Sequence, residues 1–461
     1  MSTLSTIAII AAILGLMYLA YKGWSIILIA PLLALVAAIG SGESFINILG
    51  NVYLVKAAEY IKNYFPIFLF GAVFAKIMEK GGLAASIADK IVEVLGPKRA
   101  LLAVIIGCAV LTYGGLSVFV VAFVMYPFGA ILFKRAGIPK RLLPAALWIG
   151  IFTFTMVALP GTPQIQNIIP STYFGTSTWS GIGIGLFATV LYLAIGLGWL
   201  GYRSKHLMSR GEGYGNHTEA ETEYVSTEKL PSWGISLIPL VTVIVLNIFI
   251  NNPFKWNWIT WNISSIWSIT FATIVSSVLA VIIGREKLFA SAADKKPNKE
   301  GFLKIINESS ISSGTAVFNV ASGYAFGCVI TSVAGFGIIS SMLMRLSANG
   351  NPLFSAVLST SIMGGITGSA SSGMTIALSK FGAQWAQMAS VAGIPLDVLH
   401  RIVAISAIGI DPVPHCGALV TMFAICGLTH KESYFDIIVI LLMKFFVPFL
   451  CVLFYMLTGI V

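Results

Sequence analysis

Apolar runs of about 20 residues recur along the whole chain, and no other feature constrains its fold more. In helical form, at about 1.5 Å per residue, such a run crosses the hydrocarbon core of a bilayer. Spans are expected at 4–21, 23–41, 62–80, 141–160, 179–202, 233–251, 262–284, 312–333, 396–428 (interrupted) and 434–459. Only 10% of the residues are charged, against about 25% in soluble domains. Lipid leaves any open backbone group unsatisfied, so the spans must be helices. The expected fold class is an all-α polytopic membrane protein.

The formal net charge of +10 is read as loop bias, because Lys and Arg hold loops on the cytoplasmic face. A nucleic-acid partner is not expected. The five cysteines all lie in apolar segments without a C-x-x-C pair, which suits small buried hydrophobes better than disulfides or metal ligands. The first residues lack a basic stretch and are read as a membrane span rather than a cleaved signal.

Two regions, 98–135 and 352–390, are apolar but break in the middle at Gly, Ser and Thr. The polar stretch 203–231 reads as a linker between two halves, 1–202 and 232–461. These halves echo one another. "FGAV" at Phe70–Val73 returns as "FGCV" at Phe326–Val329, Gly81 as Gly337, and "AGIP" at Ala136–Pro139 as Ala392–Pro395, all at one offset. The first AGIP is flanked by Lys134, Arg135, Lys140 and Arg141, and the second by no basic residue before Arg401. That contrast places the copies on opposite faces, as inverted repeats of about five spans each require. Lys22, the linker and 285–304, with six basic and three acidic residues, fall on the inner side of this count. Residues 251–261 and both termini fall outside. Basic residues at both ends of 98–135 make it a re-entrant hairpin from the cytoplasm, and 352–390 its counterpart from outside.

The hairpin tips are "TYGGLS" (Thr112–Ser117) and "TGSASSG" (Thr367–Gly373). Non-helical backbone at membrane depth is tolerated against protein or a water-filled cavity. Glycine admits close approach, and the following arm begins with free N–H groups suited to a carboxylate. Small residues at such points also serve tight helix packing. Candidate binding residues are Thr112, Tyr113, Gly114, Gly115, Ser117, Gly368, Ser369, Ser371, Ser372 and Thr375. Each hairpin is followed by a proline-broken span: 141–167 with "LPGTPQIQN" (Leu159–Asn167), and 396–428 with "IDPVPHCG" (Ile410–Gly417). Proline removes a donor and unwinds the helix, and paired broken segments are the sequence mark of a transporter site. Thr162, Gln164, Asn167 and His415 join the candidates.

Only the second break carries ionisable groups, Asp411 and His415, four residues apart. An intramembrane pair of this kind is costly unless matched or used. It is read as a proton-coupling pair, with a structural hydrogen-bonded pair as the alternative. Lys380 could be a fixed cation near the substrate or a snorkelling side chain. Lys444 is read as a structural partner, His400, Arg401 and His430 as loop-boundary residues, and 83–95 as an interfacial helix.

No H-E-x-x-H, phosphate loop or soluble catalytic domain is present. No cofactor is expected, and transport would draw on an ion gradient. "GIDPVPHCGALVTMFAICGLTHKESYFDI" (Gly409–Ile437), preceded by "GGITGSASSGMTIAL" (Gly364–Leu378), resembles the gluconate:proton symporter family, and within it the D-β-hydroxybutyrate permease-like branch. The match lies in Asp411, Pro414, His415, Gly417 and Ala418, then Gly427 to His430, Ser433 and Tyr434. The resemblance implies a proton-coupled importer of small hydroxycarboxylates in a bacterial inner membrane, with inverted repeats, elevator-type movement and a homodimer. Gluconate-type members do not share this Pro-His segment in the same form, which favours a smaller, more apolar acid than gluconate. A gluconate or sugar-acid permease, sodium coupling, a passive carboxylate facilitator and an intramembrane enzyme using Ser371 or Ser372 with His415 are the alternatives.

Overall fold

The computed structural model describes residues 2–215, 230–252, 256, 263–289, 299–345 and 351–461, and contains helices and no strand among them. Nine of these helices are long and apolar enough to cross a membrane. The middle of the linker (216–229) and most of 253–262 and 290–298 lie outside the described residues.

Two helical pairs, Ser2–Tyr21 with Ile26–Gly40 and Ile238–Asn251 with Ser265–Leu288, pack beside a central pair of longer helices, Val55–Lys80 and Lys299–Ser332. Both central helices begin earlier than the apolar pattern predicts. A π-helix at Asn47–Leu54 extends the first. The second starts about a dozen residues ahead of the expected span, and the serines of its polar stretch satisfy their hydroxyls on their own helix. Ser309 donates to the Ile305 carbonyl (2.7 Å), Ser310 to Ile306 (2.9 Å) and Ser313 to Ser310 (2.7 Å).

After each central helix the same order of elements follows. A short amphipathic helix comes first, Leu83–Leu95 in one half and Phe336–Arg345 in the other. The Leu83–Leu95 helix turns by 96° into the next segment, as an interfacial helix would. Then come two-armed hairpins: Ala100–Tyr113 with Val118–Ala136, and Leu353–Thr367 with Ala370–Val391. Broken helices follow, Leu143–Phe152, Phe154–Val157 and Ile165–Phe174 in one half, Leu396–Ser406 and Gly417–Cys426 in the other. Long helices Ile182–Ser209 and His430–Thr458 close each series and pack on each other. Residues 203–209, read as linker, belong to the first of these. Arg203 pairs with Asp436 (3.3 Å), and Trp199 Nε1 donates to the same carboxylate (3.1 Å).

The arms of the second hairpin touch through backbone. A methyl group on Gly373 would lie 2.2 Å from the Gly364 nitrogen, so only glycine fits there. The five cysteines are buried and free.

Candidate functional site

The first tip is tied down by its own half. Gly115, with φ +94°, reverses the chain between the arms. The helix that follows stops at Thr153, restarts for one turn, and unwinds over 158–164. Gln164, just before the helix resumes, donates to the carbonyls of Thr112 (2.8 Å) and Leu116 (3.2 Å), and the Tyr113 hydroxyl to that of Pro160 (2.8 Å). Thr162 donates to the Thr155 carbonyl (2.7 Å), and Asn167 Nδ2 to those of Thr162 (3.0 Å) and Thr178 (2.8 Å). Asn247 reaches the Gly161 carbonyl at 3.0 Å. Of the candidate residues here, Thr112 keeps a buried hydroxyl with no hydrogen bond. Ser117 is half-buried at the start of the second arm.

Arg401 also belongs to this cluster, which corrects its placement at a loop boundary. Its side chain is fully buried, as is that of His400. The guanidinium donates to the carbonyls of Val157 (2.8 Å), Thr178 (3.1 Å) and Ser180 (2.6 Å) and to Asn167 Oδ1 (2.8 Å). An arginine from the second half thus satisfies the carbonyls that unwinding frees in the first. His400 Nδ1 meets the Thr176 hydroxyl at 2.7 Å. The sequence signal was available: Arg401 stands one turn inside an apolar run, where a charge needs a partner.

The second break, 407–416, holds Asp411 and His415, and they are not a pair. Asp411 bonds Lys444 at 2.5 Å, both side chains buried. The two prolines unwind the segment and carry these side chains to different neighbours. Lys444, from the middle of the last helix, also lies over the Trp148 ring, 5.3 Å from its centroid. Tyr434 donates to the Pro412 carbonyl (3.2 Å), and His430 Nε2 lies 3.1 Å from that of Pro414.

His415 turns to the second tip instead. Gly368, at φ +59°, ends the first arm, and a methyl group there would come within 2.9 Å of the His415 ring. The carbonyls of Gly365 and Ile366 face that ring, while Nε2 is buried without a hydrogen bond. Ser369 caps the return arm through the Ser372 amide (3.4 Å), and its hydroxyl lies 3.4 Å from that of Ser371. Ser372 donates to the Val320 carbonyl (3.2 Å) and Thr375 to that of Ser371 (2.7 Å). Lys380 is far down the arm, exposed, donating to the Thr331 carbonyl (3.3 Å). Among the described residues, no three His, Cys, Asp or Glu side chains converge as metal ligands would.

Spans, hairpin tips and broken helices with buried ionisable groups define a multi-pass membrane transporter. The comparisons with known proteins agree. The model of the GntP family permeases matches residues 4–406, and the chain belongs to that family. It is 38% identical to the uncharacterized transporter YxjC of Bacillus subtilis (strain 168), over 99% of both chains. Its fold is similar to the crystal structure of the Alcanivorax borkumensis YdaH transporter, described as having an unusual topology (TM-score 0.51, 13% identity, 88% of each chain covered).

Proposed function

We propose that the protein is a proton-coupled symporter of a small hydroxy-monocarboxylate, of the 3-hydroxybutyrate type, and that the carboxylate binds at the second hairpin tip. The observation that carries this reading is the buried, unpartnered Nε2 of His415 beside Gly368, at the amino end of the Ala370–Val391 helix. Free N–H groups and the positive helix end favour an anion there. In a neutral imidazole that carries its proton on Nδ1, Nε2 carries a lone pair. Taking a proton turns it into a donor for the incoming carboxylate, so one proton and one anion enter as a neutral couple.

Proton coupling therefore centres on His415. Asp411 is matched by Lys444, and protonating it would strand a buried cation. At the first tip Gln164 and Tyr113 are spent on backbone carbonyls and Thr112 keeps a buried hydroxyl without a hydrogen bond, whereas the second tip offers a titratable group.

Two inverted repeats in a bacterial inner membrane, moving as an elevator within a homodimer, complete the proposal. Contacts between loops support the inversion. Ser5 meets Ser41 (2.6 Å) and the Gly335 amide (2.9 Å), and Gly183 meets the Val461 carbonyl (2.9 Å), all ends that the charge count puts outside. Ser86 with Pro231 (2.6 Å), Arg141 with Glu212 (2.9 Å) and Arg203 with Asp436 join ends that it puts inside.

Thermal unfolding of the purified protein with 3-hydroxybutyrate, butyrate and gluconate tests the site, because a ligand raises the midpoint by mass action. 3-Hydroxybutyrate should raise the wild-type midpoint and leave that of His415→Gln unmoved. Equal shifts in both proteins would remove His415 from the site.

A further inference from the structure

A second buried polar group without a partner lies by the same tip, and it comes from the central helix pair. Tyr60 lies in Val55–Lys80 and is 1% exposed, its ring 4.6 Å from that of Tyr64 and 5.4 Å from that of Tyr324. Its hydroxyl lies beside the Ser371 side chain without reaching hydrogen-bond geometry. Its neighbour differs: the Tyr64 hydroxyl meets Thr172 Oγ1 at 3.3 Å.

A buried hydroxyl with no partner is a cost that phenylalanine would avoid while keeping the same ring contacts. Its presence is explained if the partner arrives with the ligand. Ser371 stands three residues from Gly368, which is the glycine that His415 covers. One tip is thus approached by two unmatched polar groups, an imidazole from the broken helix and a phenol from the central pair. They differ in chemistry. The titratable imidazole beside a helix amino end suits the carboxylate. The phenol, a neutral donor, suits a neutral oxygen.

Resting on the reading of this tip as a carboxylate site, we infer that Tyr60 hydrogen-bonds the substrate's hydroxyl group and makes the protein selective for hydroxy acids over their deoxy counterparts. A site built to bond a hydroxyl rejects the analogue lacking it, because its own polar group is then left unpaired. Tyr60 would also tie an occupied hairpin to the central helices, so a substrate without the hydroxyl would bind without that tie.

The test compares purified full-length wild type, Tyr60→Phe and His415→Gln, titrated with 3-hydroxybutyrate and with butyrate by thermal shift and by calorimetry. In the unliganded state Tyr60→Phe should unfold at a higher temperature than wild type, since an unmatched hydroxyl has been removed. Its affinity for 3-hydroxybutyrate should fall about tenfold, the equivalent of about 1.4 kcal/mol, while its affinity for butyrate stays at the wild-type value. A lower unliganded midpoint would identify the hydroxyl as a structural bond to Ser371 and overturn the inference. Undiminished preference for the hydroxy acid in Tyr60→Phe would overturn it equally. If His415→Gln abolishes binding and Tyr60→Phe keeps wild-type selectivity, Tyr60 alone is misassigned. If wild type binds neither acid, or His415→Gln binds both normally, the carboxylate site falls and the role of Tyr60 with it.

Discussion

The Asp411–Lys444 pair lends itself to a double-mutant cycle with a defined sign. Both side chains are buried, at 2.5 Å, and the lysine also stacks over Trp148. Lys444→Met keeps the length and apolar body of the side chain and leaves a carboxylate alone in the membrane interior. Asp411→Asn keeps the shape and leaves the ammonium alone. Breaking a buried pair from one side costs about 3–5 kcal/mol, whereas replacing both partners is often close to neutral. The two single variants should each lose about 3–5 kcal/mol, and the double variant should lose less than either single. The coupling energy would then exceed the 0.5–3 kcal/mol (roughly) common for neighbouring residues. Urea titration in detergent micelles would read the three values, with the yield of monodisperse protein as a second measure. A double variant whose loss equals the sum of the singles would refute the pairing, and with it the argument that Asp411 is withheld from proton coupling.

Two further outcomes follow from the packing. Arg401→Gln removes a cation that serves three backbone carbonyls and Asn167, and each buried acceptor left bare costs about 1–3 kcal/mol, so little folded protein should survive size-exclusion chromatography. Gly373→Ala should lower the unfolding midpoint sharply, because its methyl would meet the Gly364 backbone at 2.2 Å, while Gly382→Ala on the same helix, with nothing closer than 3.6 Å, should leave it unchanged.

What the sequence made legible was what lipid makes obligatory. Spans, tips and proline breaks could be placed because a bilayer forces length, backbone satisfaction and helix unwinding into the residue pattern. The amphipathic helix at Leu83–Leu95 was legible in its alternation of polar and apolar residues. The partners of the buried charges were not legible in the same way. Asp411 stands four residues from His415 and 33 from Lys444, and the nearer residue was the wrong partner because two prolines intervene. Arg401 is matched by carbonyls, which every residue owns and none advertises. The polar start of Lys299–Ser332 hid its helix because its serines bond within it. The orphan hydroxyl of Tyr60 emerges only when the central pair is assembled and Ser371 of the second hairpin comes beside it.

Uptake into proteoliposomes tests the central claim most directly. With labelled 3-hydroxybutyrate outside and an inward proton gradient imposed, wild-type protein should accumulate the acid above its external concentration, with or without sodium. His415→Gln should not accumulate it. Accumulation that follows a sodium gradient and ignores the proton gradient, or that persists unchanged in His415→Gln, would contradict proton-coupled transport at the second tip.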